Sequence, residues 1–298
     1  MKKILSAILF VCLSFIVLCF FILAPKEAVN ASRQGLILWF TQILPTLLPF
    51  SILSYVVLAS GILPDKLGRG YIIFCGFLFG FPIGCKLSCD FYRHHMLSKR
   101  EAELLSCFTN NLSPVFATAV MADMLKLPVR LPFYLLLYGI PLVLGLILLK
   151  TAKTTDFSPQ KETASGFHMD MQILDAGILN GFETLIRICG YIMLFSILCG
   201  ILSYIPCLTP KVRMFLTGFL EVTNGISALS TMSLNQKFKY LCGVFFLSLN
   251  GLSGLFQSAS VLKEADLSVL SYVKLKLLLV LLTTGSAAFL LFFGRILI

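Results

Sequence analysis

Long apolar runs are the feature that most constrains the fold of this chain. They cover roughly residues 4–24, 35–63, 131–149, 178–205, 240–262 and 272–293. A helix needs about 20 apolar residues to cross the hydrocarbon of a bilayer. Because backbone N–H and C=O groups in hydrocarbon must be paired within the protein, such runs fold as helices. The sequence therefore predicts an all-α polytopic membrane protein, with the lipid bilayer as its first partner.

Composition and charge agree with this class. The 298 residues are 58% hydrophobic and 13% charged, and the net charge is +10. The basic residues gather between the apolar runs, where they set topology rather than form a basic face for nucleic acid. We predict no nucleic-acid partner. Their bias favours a multi-pass cell-membrane protein with a cytoplasmic N-terminus and inside loops that include Lys274 and Lys276. The first apolar run is longer than the h-region of a typical signal peptide, which favours an uncleaved first helix.

Cysteine and histidine spacing predicts neither a metal site nor an enzyme. Most of the ten cysteines lie inside apolar runs, where they act as small hydrophobic residues. Cys85 and Cys89 are one helical turn apart, but no CxxC pair occurs, and His94 and His95 lie in a basic loop. Nucleophile-elbow, zinc-protease and phosphate-loop motifs are absent from the sequence.

An apolar segment over residues 71–91 is predicted to break at membrane depth. Pro82 removes a backbone donor and Gly84 weakens the helix, and Lys86 follows directly. Non-helical backbone is tolerated in a membrane only where protein or a water-filled cavity surrounds it. A lysine at that depth usually has a partner or a ligand. The turn and the cation together indicate a polar site.

A second interruption is predicted further along. Ser98 and Glu101 form an S-x-x-E capping box, which predicts a helix start. This helix runs to about residue 125 and is interrupted at Pro114, after two asparagines and a serine.

The second half repeats this pattern at an offset of about 140 residues. It has a short broken segment over residues 214–232 and a helix over 240–262 interrupted at 250–254. We interpret the chain as a duplication: an N-terminal transmembrane helix (1–30), a first repeat (31–150), a linker (151–177) and a second repeat (178–298). Re-entrant broken segments would give inverted repeats with seven spans and two hairpins, which the positive charges favour.

Paired interruptions of this kind indicate a transporter site at the bilayer midplane. Each polar residue could instead make an ordinary interhelical hydrogen bond. Lys86 and Glu221 could pair with each other, or Lys86 could bind an anionic substrate group while Glu221 carries a coupling H⁺ or Na⁺. The candidate substrate-binding residues are Lys86, Ser88, Asn110, Asn111, Ser113, Glu221, Thr223, Asn224, Asn250, Ser253 and Gln257, with Arg187, four residues after Glu183, as a further candidate.

Several segments resemble the nucleoside-recognition (Gate) domain superfamily and, within it, the sporulation integral membrane protein YlbJ family. They are residues 35–40 (GLILWF), 44–50 (LPTLLPF), 80–86 (GFPIGCK), 97–103 (LSKREAE), 108–111 (FTNN), 190–195 (GYIMLF), 221–225 (EVTNG) and 251–253 (GLS), with Gln257. The resemblance implies a fold like that of concentrative nucleoside transporters. It also implies a role in endospore formation, where the family is associated with moving dipicolinate, a small aromatic dianion.

We therefore expect a secondary transporter or facilitator of a small organic anion, with no cofactor beyond a coupling ion. Lys86 and Asn111 would bind substrate, and Glu221 and Asn224 would orient it or couple an ion. Two alternatives stay open: a non-transporting component of a sporulation complex, and a nucleoside transporter. A homo-oligomer is compatible with the predicted fold and with each of these three functions.

Overall fold

The structure, a computed structural model, describes residues 2–60, 68–152 and 170–294, and every regular element in these ranges is helical. This confirms the predicted all-α class. The α-helices are α1 Lys2–Leu23, α2 Pro25–Leu38, α3 Leu44–Ala59, α4 Gly68–Phe79, α5 Ile83–Arg93, α6 Lys99–Phe108, α7 Pro114–Ala119, α8 Leu131–Tyr134, α9 Ile140–Thr151, α10 Met171–Ser203, α11 Pro210–Leu220, α12 Val222–Thr231, α13 Gln236–Leu249, α14 Gly251–Glu264 and α15 Val269–Phe292. Short π-helical segments at Trp39–Ile43, Val120–Met124 and Leu135–Gly139 continue α2, α7 and α8.

Four stretches of the described chain are long and apolar enough to cross a membrane. They are Leu131–Thr151, Met171–Ser203, Gln236–Glu264 and Val269–Phe292. Ser14–Leu23 and Pro25–Thr41 meet the same criterion together but are bent by 118°, as a broken span or a re-entrant loop. The chain is therefore a multi-pass membrane protein. The total of seven spans, the inverted order of the repeats and the side of the N-terminus stay predictions.

Two boundaries differ from the sequence prediction. The helix that leads into the second apolar segment begins at Pro25 rather than near residue 35, because the chain turns sharply at Ala24 and the helix resumes with a proline at its first position. Helix α10 begins at Met171, inside the predicted linker, so residues 171–177 (MQILDAG) extend the apolar span. Most of the remaining linker, residues 153–169, lies outside the described residues.

Both predicted broken segments are helical hairpins. Helices α4 and α5 pack on each other around the turn at Gly80–Pro82, and α11 and α12 do so around Glu221. Gly80 has φ +78°, and a Cβ there would lie 2.4 Å from the backbone nitrogen of Ser113. Only glycine satisfies that conformation and that close approach together.

Each hairpin turn lies against an interrupted helix of its own half. The Phe81 N–H donates to the Asn111 carbonyl at 2.5 Å, and a Cβ on Gly251 would lie 3.1 Å from the Leu220 carbonyl oxygen. The two interrupted helices also meet each other, because the Asn250 side-chain amide donates to the Asn110 carbonyl at 3.2 Å. We call this meeting point, formed by residues 109–113 and 250–251, the crossing.

Candidate functional site

Helices α5, α10 and α14 enclose a pocket of about 550 Å³, counted with the open space at its mouth. It extends from Pro82 at the first hairpin turn to Arg93 and Glu264, at the ends of α5 and α14. We call it the charged pocket, because three basic side chains and three carboxylates line it: Lys86, Arg93, Arg187, Asp90, Glu183 and Glu264. Its other polar lining residues are Asn180, Thr184, Tyr191, Gln257 and Ser260.

Lys86 is buried in the wall of the charged pocket. Its Nζ lies 2.9 Å from Asp90 Oδ2 and 2.7 Å from Asn180 Oδ1. The suggested pairing with Glu221 is therefore wrong. An ammonium has three donors, and these two contacts use two of them. Asp90 could have been found at the i+4 position from Lys86, whereas nothing in the sequence connects Asn180 with it.

Arg187 lies at the mouth of the same pocket. Its guanidinium pairs with Glu183, as the i, i+4 spacing predicted, and also with Glu264 on α14. Arg93 approaches the same Glu264 carboxylate at 3.7 Å. The mouth is thus crossed by ion pairs that connect α5, α10 and α14.

A second pocket lies between α2, α10, α11 and α12 and measures about 660 Å³ with its open mouth. We call it the neutral pocket, because none of its described lining residues carries a carboxylate or a basic group. Asn224 Nδ2 donates to Ser196 Oγ at 3.2 Å in its wall. The lining residues are Ala31, Gln34, Ser196, Cys199, Gly200, Thr217, Asn224, Ser227, Ala228 and Thr231.

The two pockets lie at opposite halves of one helix. The charged pocket touches α10 between Asn180 and Tyr191, and the neutral pocket touches it between Ser196 and Gly200. At 1.5 Å per residue, Asn180 and Gly200 are roughly 30 Å apart, about the thickness of the hydrocarbon. Only roughly 7 Å of helix separates Tyr191 from Ser196.

Glu221 has a local structural partner. Its Oε2 accepts from the Asn224 N–H at 2.8 Å and so caps the first turn of α12, with Thr223 half-buried beside it. A carboxylate suits this position, because the first N–H groups of a helix have no intrahelical partner. Among the described residues no hydrogen bond or ion pair joins Glu221 to Lys86, so the two do not form one polar cluster.

The crossing is held by a fully buried amide. Asn110 Nδ2 donates to Ser258 Oγ and to the Tyr272 hydroxyl, each at 2.9 Å, and its Oδ1 accepts from the Cys85 N–H at 3.4 Å. Asn250, with φ +66°, makes the left-handed turn between α13 and α14. These asparagines connect helices of both halves, which is the interhelical bonding considered as the alternative to substrate binding.

Lys276 also lies at the crossing. Its side chain is 1% exposed, and its Nζ donates to the Asn110 carbonyl at 3.2 Å and to Asn111 Oδ1 at 3.4 Å. The assignment of Lys276 to an inside loop is therefore wrong. The sequence carried a signal for its position, because Lys276 falls within the apolar run that forms α15.

The other candidates either make local hydrogen bonds within or at the start of a helix, or line the charged pocket. Ser88 Oγ donates to the Gly84 carbonyl at 2.8 Å inside α5, and Ser113 Oγ caps α7 by accepting from the Phe116 N–H. Gln257 lines the charged pocket and donates to Ser253 Oγ at 3.0 Å. Its buried Oε1 has no hydrogen-bond partner among the described residues. In those residues, no three His, Cys, Asp or Glu side chains are grouped as metal ligands.

Comparison with known proteins gives one informative relative. Sporulation integral membrane protein YlbJ of Bacillus subtilis (strain 168) is 26% identical to this chain over 296 residues, a match that covers 82% of this chain and 72% of the relative. No family model matches the chain, and no solved structure matches it. The Gate superfamily therefore stays a prediction. The match supports the resemblance to the YlbJ family that the sequence motifs indicated.

Proposed function

We propose that this protein is a membrane carrier of a small organic anion, of the size and charge of dipicolinate, in sporulation. The observation that carries the proposal is the pair of polar pockets at opposite halves of α10. A carrier needs a site that can be reached from either side of the membrane in turn, and broken helices at the midplane are typical of such sites. The name of the Bacillus subtilis relative supports the sporulation context.

The charged pocket is the part that suits an anion. Lys86 has one donor in excess of its two partners. Arg187 and Arg93 share the Glu264 carboxylate at the mouth, with Glu183 as a second partner of Arg187 and Asp90 at 3.9 Å from Arg93. A dianion that entered would replace carboxylates as the partner of these bases. Gln257 could turn its amide so that its NH₂ group faces a carboxylate, and Tyr191 offers a ring to an aromatic ligand.

Uptake of labelled dipicolinate into proteoliposomes tests the proposal. Wild type should accumulate or equilibrate the label, and Lys86→Met should reduce the initial rate by about 10-fold or more, because a desolvated cation is lost. Lys211→Met, the same change at an exposed lysine, is the matched control and should keep the wild-type rate. Equal rates for Lys86→Met and wild type would remove Lys86 from the mechanism, and no uptake by wild type would overturn the carrier proposal.

The neutral pocket favours a nucleoside as the second candidate cargo. Its amides and hydroxyls, without charged groups, match the sugar and base of an uncharged ligand. Unlabelled nucleosides added to the same assay separate the two proposals. Competition by nucleosides and not by dicarboxylates would replace the anion with a nucleoside. Competition by dicarboxylates alone supports the anion.

A genetic experiment tests transport against assembly of a sporulation complex. A spore-forming strain that lacks the gene is supplied with external dipicolinate. Recovery of the spores would support the carrier, because the missing activity is then delivery of the anion. Continued failure, together with inactive proteoliposomes, would favour a non-transporting role.

A further inference from the structure

Lys276 is a buried basic side chain that pairs with no carboxylate of the described residues. Its Nζ has no carboxylate within 4.0 Å among the described residues, whereas Lys86 has one and Arg93 and Arg187 have two each. Its acceptors are a backbone carbonyl and a side-chain amide oxygen. An ionised group in this environment is costly and is usually functional in a membrane protein.

Both acceptors belong to an interruption in a helix. Asn110 and Asn111 lie between α6 and α7, where the chain is not helical and their oxygens are free to face inward. The Asn110 carbonyl also accepts from Asn250 at the other interruption. The buried Oδ1 of Asn250 has no hydrogen-bond partner among the described residues, so it is a further oxygen at the crossing. In carriers built from broken helices, carbonyl oxygens of this kind bind the coupling cation.

We propose that the ammonium of Lys276 is a built-in cation, held in the position where a coupled carrier binds a transported sodium ion. A second cation at the same oxygens would be repelled strongly, because the site is enclosed and of low dielectric constant. The protein would therefore carry its cargo without sodium, and the crossing would keep its positive charge throughout the cycle. This inference deepens the proposed function and rests on it for the cargo, but the binding of a cation can be tested without any cargo.

Thermal unfolding of the purified protein in detergent tests the proposal. Wild type, Lys276→Gln and the control Lys274→Gln, an exposed lysine two residues earlier, are compared in chloride salts of choline, sodium, potassium and methylammonium at equal ionic strength. Wild type and Lys274→Gln should unfold at the same temperature in all four. Lys276→Gln removes the positive charge from the oxygens of Asn110 and Asn111, so sodium or methylammonium should raise its unfolding temperature by about 3 °C or more over choline.

Each outcome decides the proposal. Stabilisation of wild type by sodium would overturn it, because an intact sodium site would then exist beside Lys276. Lys276→Gln that unfolds at one temperature in every salt would also overturn it and leave Lys276 a structural hydrogen-bond donor. If Lys276→Gln cannot be purified, Lys276→Arg takes its place. Because arginine keeps the positive charge, its unfolding temperature should be the same in all four salts, as for wild type. A higher unfolding temperature in sodium would contradict the proposal.

The transport assay adds a readout that separates this inference from the proposed function. Uptake by wild type should change by less than about twofold when choline replaces sodium on both sides. Uptake that requires sodium would overturn the fixed cation and leave the carrier intact. Absence of uptake in every salt would count against the carrier proposal, and the unfolding measurements would still decide the role of Lys276.

Discussion

The charged pocket and the neutral pocket share a helix and a general plan but differ in chemistry. Each is walled by the second arm of a hairpin, α5 in one case and α12 in the other, and each extends away from the turn of that hairpin. At the first turn Lys86 points into the pocket and binds groups of two helices. At the second turn Glu221 is turned back onto its own helix as a cap.

This difference indicates a division of roles. In our proposal, Lys86 at the first hairpin turn exchanges partners with a ligand, whereas Glu221 at the second hairpin turn holds a helix end. Specificity for charge would then reside at the charged pocket, and the neutral pocket would serve as a polar vestibule. The predictions below test this asymmetry, from the largest expected effect to the smallest.

The largest effect is expected where the two helices of the second hairpin, α11 and α12, are in closest contact. A Cβ on Gly225 would lie 2.0 Å from the Gly218 Cα, backbone that cannot move without parting α11 from α12. Gly225→Ala should lower the free energy of unfolding by about 3 kcal/mol through overpacking, measured by thermal unfolding in detergent. Gly285→Ala is the control, because a Cβ there meets no atom within 4 Å. Equal stability of the two variants would show that α11 and α12 do not pack closely at Gly218 and Gly225.

The next effect concerns Lys86 and Asp90. Lys86→Met should destabilise the fold by about 2 kcal/mol, because Asp90 keeps only a distant contact with Arg93, at 3.9 Å. Adding Asp90→Asn should recover most of this stability, since the uncompensated carboxylate is removed as well. Uptake of the anion should stay low in the double variant. Recovery of both stability and uptake would mean that the lysine is structural, and the contrast with Glu221 would disappear.

A smaller effect is expected at the mouth of the charged pocket. Glu264→Gln leaves Arg93 and Arg187 without their shared carboxylate and makes the pocket more positive by one charge. The apparent affinity for a dicarboxylate should rise about two- to threefold at low salt and return to the wild-type value near 1 M salt. Transport inhibition by unlabelled dicarboxylate measures both. A fall in affinity at low salt would show that Glu264 positions the arginines rather than competes for them.

The sequence was sufficient for features that depend on neighbouring residues. The Ser98–Glu101 capping box, the turn at Pro82 and the Glu183–Arg187 pair all follow from local spacing, and all are present. The apolar runs likewise predicted the helical class. These features depend on backbone chemistry or helical periodicity, which a single sequence contains.

Contacts between distant parts of the chain could not be predicted in the same way. Asn180 reaches Lys86 from another helix 94 residues away. The sequence allowed either Glu221 or a ligand as the partner of Lys86. Which of them is correct depends on how the two hairpins are placed relative to each other. The burial of Lys276 was missed because charge statistics assign a lysine near a span end to a loop, although the helix continues on both sides of it.

The smallest effect is expected in the neutral pocket. Asn224→Ala removes the hydrogen bond to Ser196 Oγ but leaves the backbone N–H that Glu221 caps. Since this pocket is a vestibule in our proposal, the KM for the anion should change by less than about twofold, consistent with a partly buried neutral hydrogen bond. Ser227→Ala, in the same wall but exposed, is the matched control. A tenfold loss for Asn224→Ala alone, and more so for a nucleoside than for a dicarboxylate, would transfer the binding site to the neutral pocket and reverse the asymmetry between the two halves.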